Sequence, residues 1–239
     1  MTELLFQTDS YLKEFEAEVQ RVDQEKHAVQ LNRSAFFPGG GGQPFDNGSI
    51  IFDGAIYSVK RSKNTPEGLW HFIEGDSDLP SEGLTILGKI NWERRYKIMR
   101  THTAMHILCG VIFRDYKAQV TGGDMEPLKG RMDFEFETMT RELVSVIEKA
   151  VNEEVTDAHE VKVAILPREE AFQIPDLIRT KINLLPPAIK EVRTIEIVGL
   201  DLQADGGTHV HSTSEVGKMK VADYKSKGKI NKRIYIELE

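Results

Sequence analysis

The feature that most limits how this chain folds is a change of pattern near Asn91. Residues 92–113 contain no proline, and Gly110 is their one glycine. Apolar Tyr96, Met99, Ala104, Ile107, Leu108 and Val111 recur there at helical spacing. The stretch predicts one long helix with Asn91 as its cap. Upstream, residues 15–22 and 27–32 alternate apolar and polar with period two, as half-buried strands do. Asp46-Asn47-Gly48 signals a turn before a strand at 49–52, and Pro66-Glu67-Gly68 and Pro80-Ser81-Glu82-Gly83 punctuate the chain between that strand and the helix. Short, evenly spaced strands suggest a small barrel or sandwich.

Downstream of the helix the spacing predicts a strand at 128–136 and a second helix at 138–152, with Leu143, Ile147 and Val151 one turn apart. A strand at 161–166, a short helix or turn from Pro167, a strand at 192–198 and a closing pair at 216–221 and 233–238 complete the pattern. Strands, then helices, then strands argue for an α+β domain with helices on one face of a mostly antiparallel sheet. The expected division is a β-rich domain over 1–90 and an α+β domain over 91–239, the boundary falling between residues 85 and 95.

Composition narrows the class. Of 239 residues, 40% are hydrophobic and 29% charged, which is globular and excludes wholesale disorder. No apolar run approaches the roughly 18 residues of a membrane span. The N-terminus lacks the basic region and long apolar core of a secretory signal. Cys109 is the sole cysteine, so no intrachain disulfide forms. A cytoplasmic protein is expected. A net charge of −7 argues against coating nucleic acid by bulk electrostatics but leaves room for a local RNA-gripping patch.

Four segments can carry chemistry. His102 and His106 lie four apart in the long helix, so both imidazoles reach one side and can share a metal. A buried, hydrogen-bonded histidine pair is the alternative. Asp205-Gly206-Gly207-Thr208-His209 offers two more ligands around two glycines, or else an Asp-Gly turn with an incidental histidine. Together they form a possible set of His102, His106, Asp205 and His209, donors that zinc accepts. With all four bound the site is closed; with Asp205 loose, a position opens for water or substrate. His211 and Cys109 are near enough in sequence to compete, although a buried small hydrophobe is the ordinary role of a free cysteine. The third segment, residues 34–48, holds four consecutive glycines flanked by Pro38 and Pro44. It lacks the Gly-Lys-Ser/Thr of a phosphate loop, and such a loop can instead bring backbone N–H groups close to a ligand. The fourth, Lys225-Ser226-Lys227-Gly228-Lys229-Ile230-Asn231-Lys232-Arg233, is either a basic hairpin for RNA phosphates or a solvated turn.

These motifs resemble one family. Arg100-Thr101-His102-Thr103-Ala104-Met105-His106-Ile107-Leu108 is similar to the first zinc segment of the alanyl-tRNA synthetase editing domain, and Gly206-Gly207-Thr208-His209-Val210 to the second. Residues 36–48 resemble the glycine-rich motif of the longer AlaX trans-editing proteins. Trp92-Glu93-Arg94-Arg95 and the late Lys-Ser-Lys-Gly turn are similar as well. The resemblance runs from about residue 30 to the C-terminus.

It implies a small N-terminal β-barrel-like domain followed by an α+β editing domain. It implies a hydrolase that deacylates tRNA(Ala) mischarged with serine, and in some members glycine, with the tRNA acceptor end as partner. Zinc is implied at His102, His106 and His209. Ser34, where relatives usually carry threonine, is implied to read the serine hydroxyl, with Gln43 lining the same pocket. Gly40, Gly41 and Gly42 supply backbone to that reader, and Thr103 either joins it or faces the helix interior. One departure stands out: Asp205 occupies the family's cysteine position, and carboxylate is a harder donor of different reach. For the chemistry, zinc either anchors the α-amino group or activates a water. Asp201 and Glu215 are candidate general bases that read equally well as surface or capping carboxylates.

Overall fold

The computed structural model describes residues 2–76, 78–180 and 189–239. The chain divides into two compact units, Met1–Tyr96 and Lys97–Glu239.

In the first unit the strands are β1 (Glu3–Leu4), β2 (Glu14–Asp23), β3 (Ala28–Leu31), β4 (Arg33–Ser34), β5 (Gly48–Phe52), β6 (Ala55–Thr65), β7 (Gly68–Ile73) and β8 (Thr85–Ile90). Among the described residues, β2-β3-β7-β6-β5-β8 close into a barrel, every pairing antiparallel. The period-two pattern of β2 sends Phe15, Ala17 and Val19 inward. There they meet Val29, Leu31, Phe36, Ile50, Val59 and Ile86 in one core cluster. Alternation therefore becomes a filled interior, as small barrels require.

The glycine-rich segment leaves β4 and turns back on itself. Gly40 N–H donates to Gln43 O at 3.0 Å and Gln43 N–H to Gly40 O at 2.9 Å. Gly41 (φ 60°) and Gly42 (φ 87°) form the two-residue bend between them, a left-handed turn that side-chain-bearing residues resist. The base of this segment is pinned by Arg95. Its buried guanidinium donates to Asp46 Oδ1 at 2.9 Å, Ser10 O at 3.0 Å and Ala35 O at 2.6 Å, and it makes a further short contact with Asp46 Oδ2. Asp46 Oδ2 also accepts Phe37 N–H at 2.7 Å. The first turn of the long helix thus belongs with the barrel, which is why the division falls at Tyr96 rather than at the cap Asn91.

That helix is α1 (Trp92–Tyr116). It is followed by β9 (Val120–Glu126), β10 (Lys129–Glu135), α2 (Arg141–Thr156), β11 (Val161–Pro167), α3 (Arg168–Ala171), β12 (Glu191–Ile197), β13 (Asp201–Ala204), β14 (Met219–Ser226) and β15 (Asn231–Leu238). Among the described residues, the second unit has two antiparallel sheets, ordered β14-β15-β10-β9 and β11-β12-β13. The fold is α+β, as the patterning implies.

Helix α2 starts at Thr140, whose side chain accepts Leu143 N–H, and buries Val144, Ile147, Val151 and Val155 along one stripe. It is tied to β14 by Asn152, which bonds both N–H and C=O of Met219, and by Glu148, which accepts Val221 N–H. In α1, residues 101–112 are buried without interruption, so it runs as a core helix rather than an amphipathic one.

The expected strand at 216–221 needs correction. Thr213–Val216 is a short 3-10 turn with a capping box between Ser212 and Glu215. Gly217 at φ 74° ends that turn, and the strand begins only at Met219. Among the described residues no helix is long and apolar enough to cross a membrane.

Candidate metal centre

One helical turn separates His102 from His106, and the segment after β13 brings Asp205 and His209 to the same side of α1. Ring centroids lie 5.1 Å apart for His102–His106, 4.2 Å for His102–His209 and 4.7 Å for His106–His209. Asp205 Oδ1 is 2.9 Å from His209 Nε2, and Oδ2 is 3.6 Å from His102 Nε2. Each of the four offers a ligand atom, and these atoms all lie within 4.8 Å of one another. Tetrahedral zinc with bonds of about 2.0–2.2 Å separates its donors by about 3.4 Å. The cluster therefore fits such an ion after small side-chain adjustments, and these four residues can hold a metal.

The cluster is braced from outside. Thr103, fully buried, places Oγ1 at 3.1 Å from His209 Nδ1 and also accepts Val210 N–H at 3.3 Å. Asp205 Oδ1 accepts Gly207 N–H at 2.8 Å, which bends the chain between the two ligands it carries. Arg193 donates to Asp205 O at 3.0 Å. Beneath His106 lies Asp201, its Oδ2 at 3.4 Å from Nδ1. Gln203 Nε2 donates to Asp201 Oδ2 at 2.6 Å, and Arg179 Nε lies 3.3 Å from Oδ1. Gly110 makes this approach possible. A Cβ there would stand 2.9 Å from Leu200 Cγ and 3.0 Å from Asp201 Cβ, inside normal contact distance.

The electrostatics suit ligation. Burial pushes His102 down to about 4, against the pull of Asp205. Burial, with His102 and His106 nearby, holds His209 well below the usual histidine range. Both are thus neutral imidazoles, the form that binds metals. For Asp205, burial opposes the charge, but the neighbouring His102 and His209 keep it well below the usual carboxylate range. His106 differs: burial opposes its charge too, yet Asp201 and Asp205 raise it.

The remaining sequence candidates lie in both units. Ser34, Gln43 and the glycines Gly40, Gly41 and Gly42 belong to the first. The Ser34 hydroxyl is fully buried, 2.8 Å from His71 Nε2, and accepts Phe36 N–H at 3.2 Å. His71 Nδ1 faces Val29 O at 3.2 Å. A carbonyl only accepts, so Nδ1 carries the proton and Ser34 donates to Nε2. Gln43 is buried at the end of the glycine bend.

Cys109 and His211 do not enter the ligand group. Cys109 is buried, and Glu215 is the capping carboxylate of the 3-10 turn. In the basic hairpin, Lys232 caps Gly228 O and Lys229 O, Arg233 pairs with Asp133 and Lys225 with Asp223. Lys227 and Lys229 stay exposed. A second group, Glu154, Asp157 and His159, also clusters, but Glu154 already bridges Arg114 and His159. Periodicity and motif spacing give no hint of Arg179, Arg193 or Gln203 at the centre, nor of the buried position of Asp201.

Comparison with known proteins identifies the family. The family model described as "Threonyl and Alanyl tRNA synthetase second additional domain" matches residues 192–235, and "tRNA synthetases class II (A)" matches residues 5–94. The chain is 39% identical over 239 residues to the alanyl-tRNA editing protein AlaX-M of Saccharolobus solfataricus, covering 98% of each. It is 37% identical over 244 residues to AlaX-M of Methanosarcina mazei, covering 100% of this chain and 97% of that protein. Similarity to the alanine–tRNA ligase of Methanococcus aeolicus is 37% over 223 residues, 92% of this chain but 24% of the ligase. The likeness to the Methanosarcina protein takes in the first thirty residues, where motif signal is thin. With editing proteins matched along their whole length and the four-donor cluster in place, this chain belongs to the AlaX family of alanyl-tRNA editing proteins.

Proposed function

We propose that this protein is a trans-editing hydrolase that deacylates Ser-tRNA(Ala), with zinc held by His102, His106, Asp205 and His209. The observation that carries this reading is the convergence of those four side chains from α1 and the segment after β13. Full-length similarity to proteins named for alanyl-tRNA editing supports it.

The physical logic is selective. A synthetic pocket that accepts alanine rejects an added hydroxyl poorly, by about a hundredfold in comparable cases. A second site that hydrogen-bonds that hydroxyl inverts the preference, because alanine leaves its buried polar groups unpaired. The reaction adds water across the ester and returns free serine and tRNA with its terminal hydroxyl. His102, His106, Asp205 and His209 would hold the zinc, which would supply a cation that either anchors the α-amino group or activates a water. Thr103 fixes the ring of His209 through Nδ1. Ser34 is assigned to reading serine, with Gln43 and the backbone of Gly40, Gly41 and Gly42. Donation to His71 and acceptance from Phe36 leave the Ser34 oxygen one acceptor position, which a substrate hydroxyl would use. The exposed Lys227 and Lys229 are assigned to phosphates of the acceptor end.

The test is deacylation of Ser-, Gly- and Ala-tRNA(Ala) by the purified chain, with and without a chelator. Serine should be released at least about a hundredfold faster than alanine, and the chelator should abolish it. Intact Ser-tRNA(Ala) at full zinc occupancy would leave a binding protein without hydrolysis.

A further inference from the structure

The structure assigns Asp201 as the positioning residue of the metal centre: its carboxylate, clamped between Arg179 and Gln203, fixes the ring of His106 so that Nε2 is the nitrogen presented to the ion. This rests on the metal reading above and adds a residue to it.

Three observations carry the assignment. Asp201 opens β13 with a side chain shut off from solvent, and Oδ2 stands 3.4 Å from His106 Nδ1. A carboxylate facing Nδ1 favours the tautomer with its proton there, which turns the Nε2 lone pair toward the other ligands. Carboxylate–histidine pairs of this kind orient metal-bound imidazoles generally. Second, Asp201 is itself held. Oδ1 lies 3.3 Å from Arg179 Nε and Oδ2 accepts Gln203 Nε2 at 2.6 Å, so the group sits at a defined place rather than on a mobile loop. Arg179 is stacked on Phe113 of α1, its guanidinium carbon 3.8 Å from the ring centroid, which ties the clamp to the helix bearing His106. Third, the approach depends on Gly110, one turn beyond His106, where any side chain would collide with Leu200 and Asp201.

His209 differs from His106 at this nitrogen. His209 has the Thr103 hydroxyl at its outer nitrogen. His106 has the Asp201 carboxylate there at 3.4 Å, with Gln203 Nε2 beside it at 3.5 Å. Removing that charge while keeping the shape weakens metal binding without emptying the position.

The experiment uses the full chain and two readouts. Zinc affinity is measured by competition with a chromophoric chelator for wild type, Asp201→Asn and Asp201→Ala, alongside thermal unfolding of the metal-free proteins. Ring-nitrogen NMR reports the His106 tautomer in the same metal-free samples. The expected result is a roughly 10- to 100-fold weaker zinc affinity in Asp201→Asn. His106 should be protonated at Nδ1 in wild type and a tautomer mixture in Asp201→Ala. Unchanged affinity in Asp201→Asn, or a wild-type His106 protonated at Nε2, would overturn the assignment. Should Asp201→Ala fail to fold, the isosteric Asp201→Asn decides alone. A wild type that binds no zinc would overturn the metal reading, whereas the tautomer would still decide the role of Asp201.

Discussion

The two units each bury a cluster of polar side chains, and the clusters are built on opposite plans. In the barrel, Arg95 directs its donors to Asp46, Ser10 and Ala35, while His71 and Ser34 satisfy each other and the backbone. Charges cancel and donors meet acceptors. In the second unit three imidazoles crowd one carboxylate, with ring centroids as close as 4.2 Å, and burial drives two of the rings neutral. One ligand atom from each of the four lies within 4.8 Å of the others. In the first plan donors and acceptors pair within the cluster, with one acceptor position left on Ser34; the second gathers four donors that can hold a cation.

The largest effect should come from breaking the self-sufficient cluster. Arg95→Ala leaves Asp46 charged and buried, and loss of one partner of such a pair costs about 3–5 kcal/mol. Denaturant unfolding should show that loss with or without zinc. A cost below about 1 kcal/mol would mean the pair is not the brace described.

A somewhat smaller effect should follow pH through His71. Burial pushes this histidine from 6.5 to about 4 in the folded protein. A lowered folded value means the neutral form is favoured by folding. The contribution is therefore complete above pH 6.5 and lost as pH falls from 6.5 toward 4, at about 3 kcal/mol in all. Urea midpoints across pH 7 to 4 should fall less steeply in His71→Gln than in wild type. Parallel slopes would show that His71 carries no such linkage.

The metal cluster should respond to ligand rather than to truncation alone. Zinc at a hundred times its Kd stabilises a folded protein by about 2.7 kcal/mol. His102→Ala should lose that increment while its metal-free stability changes little. A zinc-induced shift of equal size in the variant would show that the ion binds elsewhere. Smallest in stability terms is Ser34→Ala, whose predicted signature is a fall in the Ser- to Ala-tRNA(Ala) deacylation ratio; an unchanged ratio would withdraw Ser34 as the reader.

What could be read from residue order alone tracks the same divide. Local periodicity marks α1, β2 and α2, because each side chain's face is set by its own neighbours. The spacing of four put His102 and His106 together for that reason. Strand β6 escaped, because a register shift between Val59 and Arg61 breaks its alternation and its second half is Ser62-Lys63-Asn64-Thr65. The barrel order β2-β3-β7-β6-β5-β8 is non-local and leaves no periodic trace. Asp201 looked like a surface or capping carboxylate, since its burial depends on a glycine ninety-one positions earlier in the chain. Asp205 joins the cluster that can hold a metal, and the Gly-Gly-Thr-His directly after it singles out that place in the sequence.

The proposed centre binds zinc through nitrogen and oxygen alone. X-ray absorption at the zinc edge of the native protein tests it most directly. One zinc per chain, in a shell of imidazole nitrogens and carboxylate oxygen without sulfur, is the predicted result. A sulfur scatterer from Cys109, or native protein that carries no zinc, would contradict it.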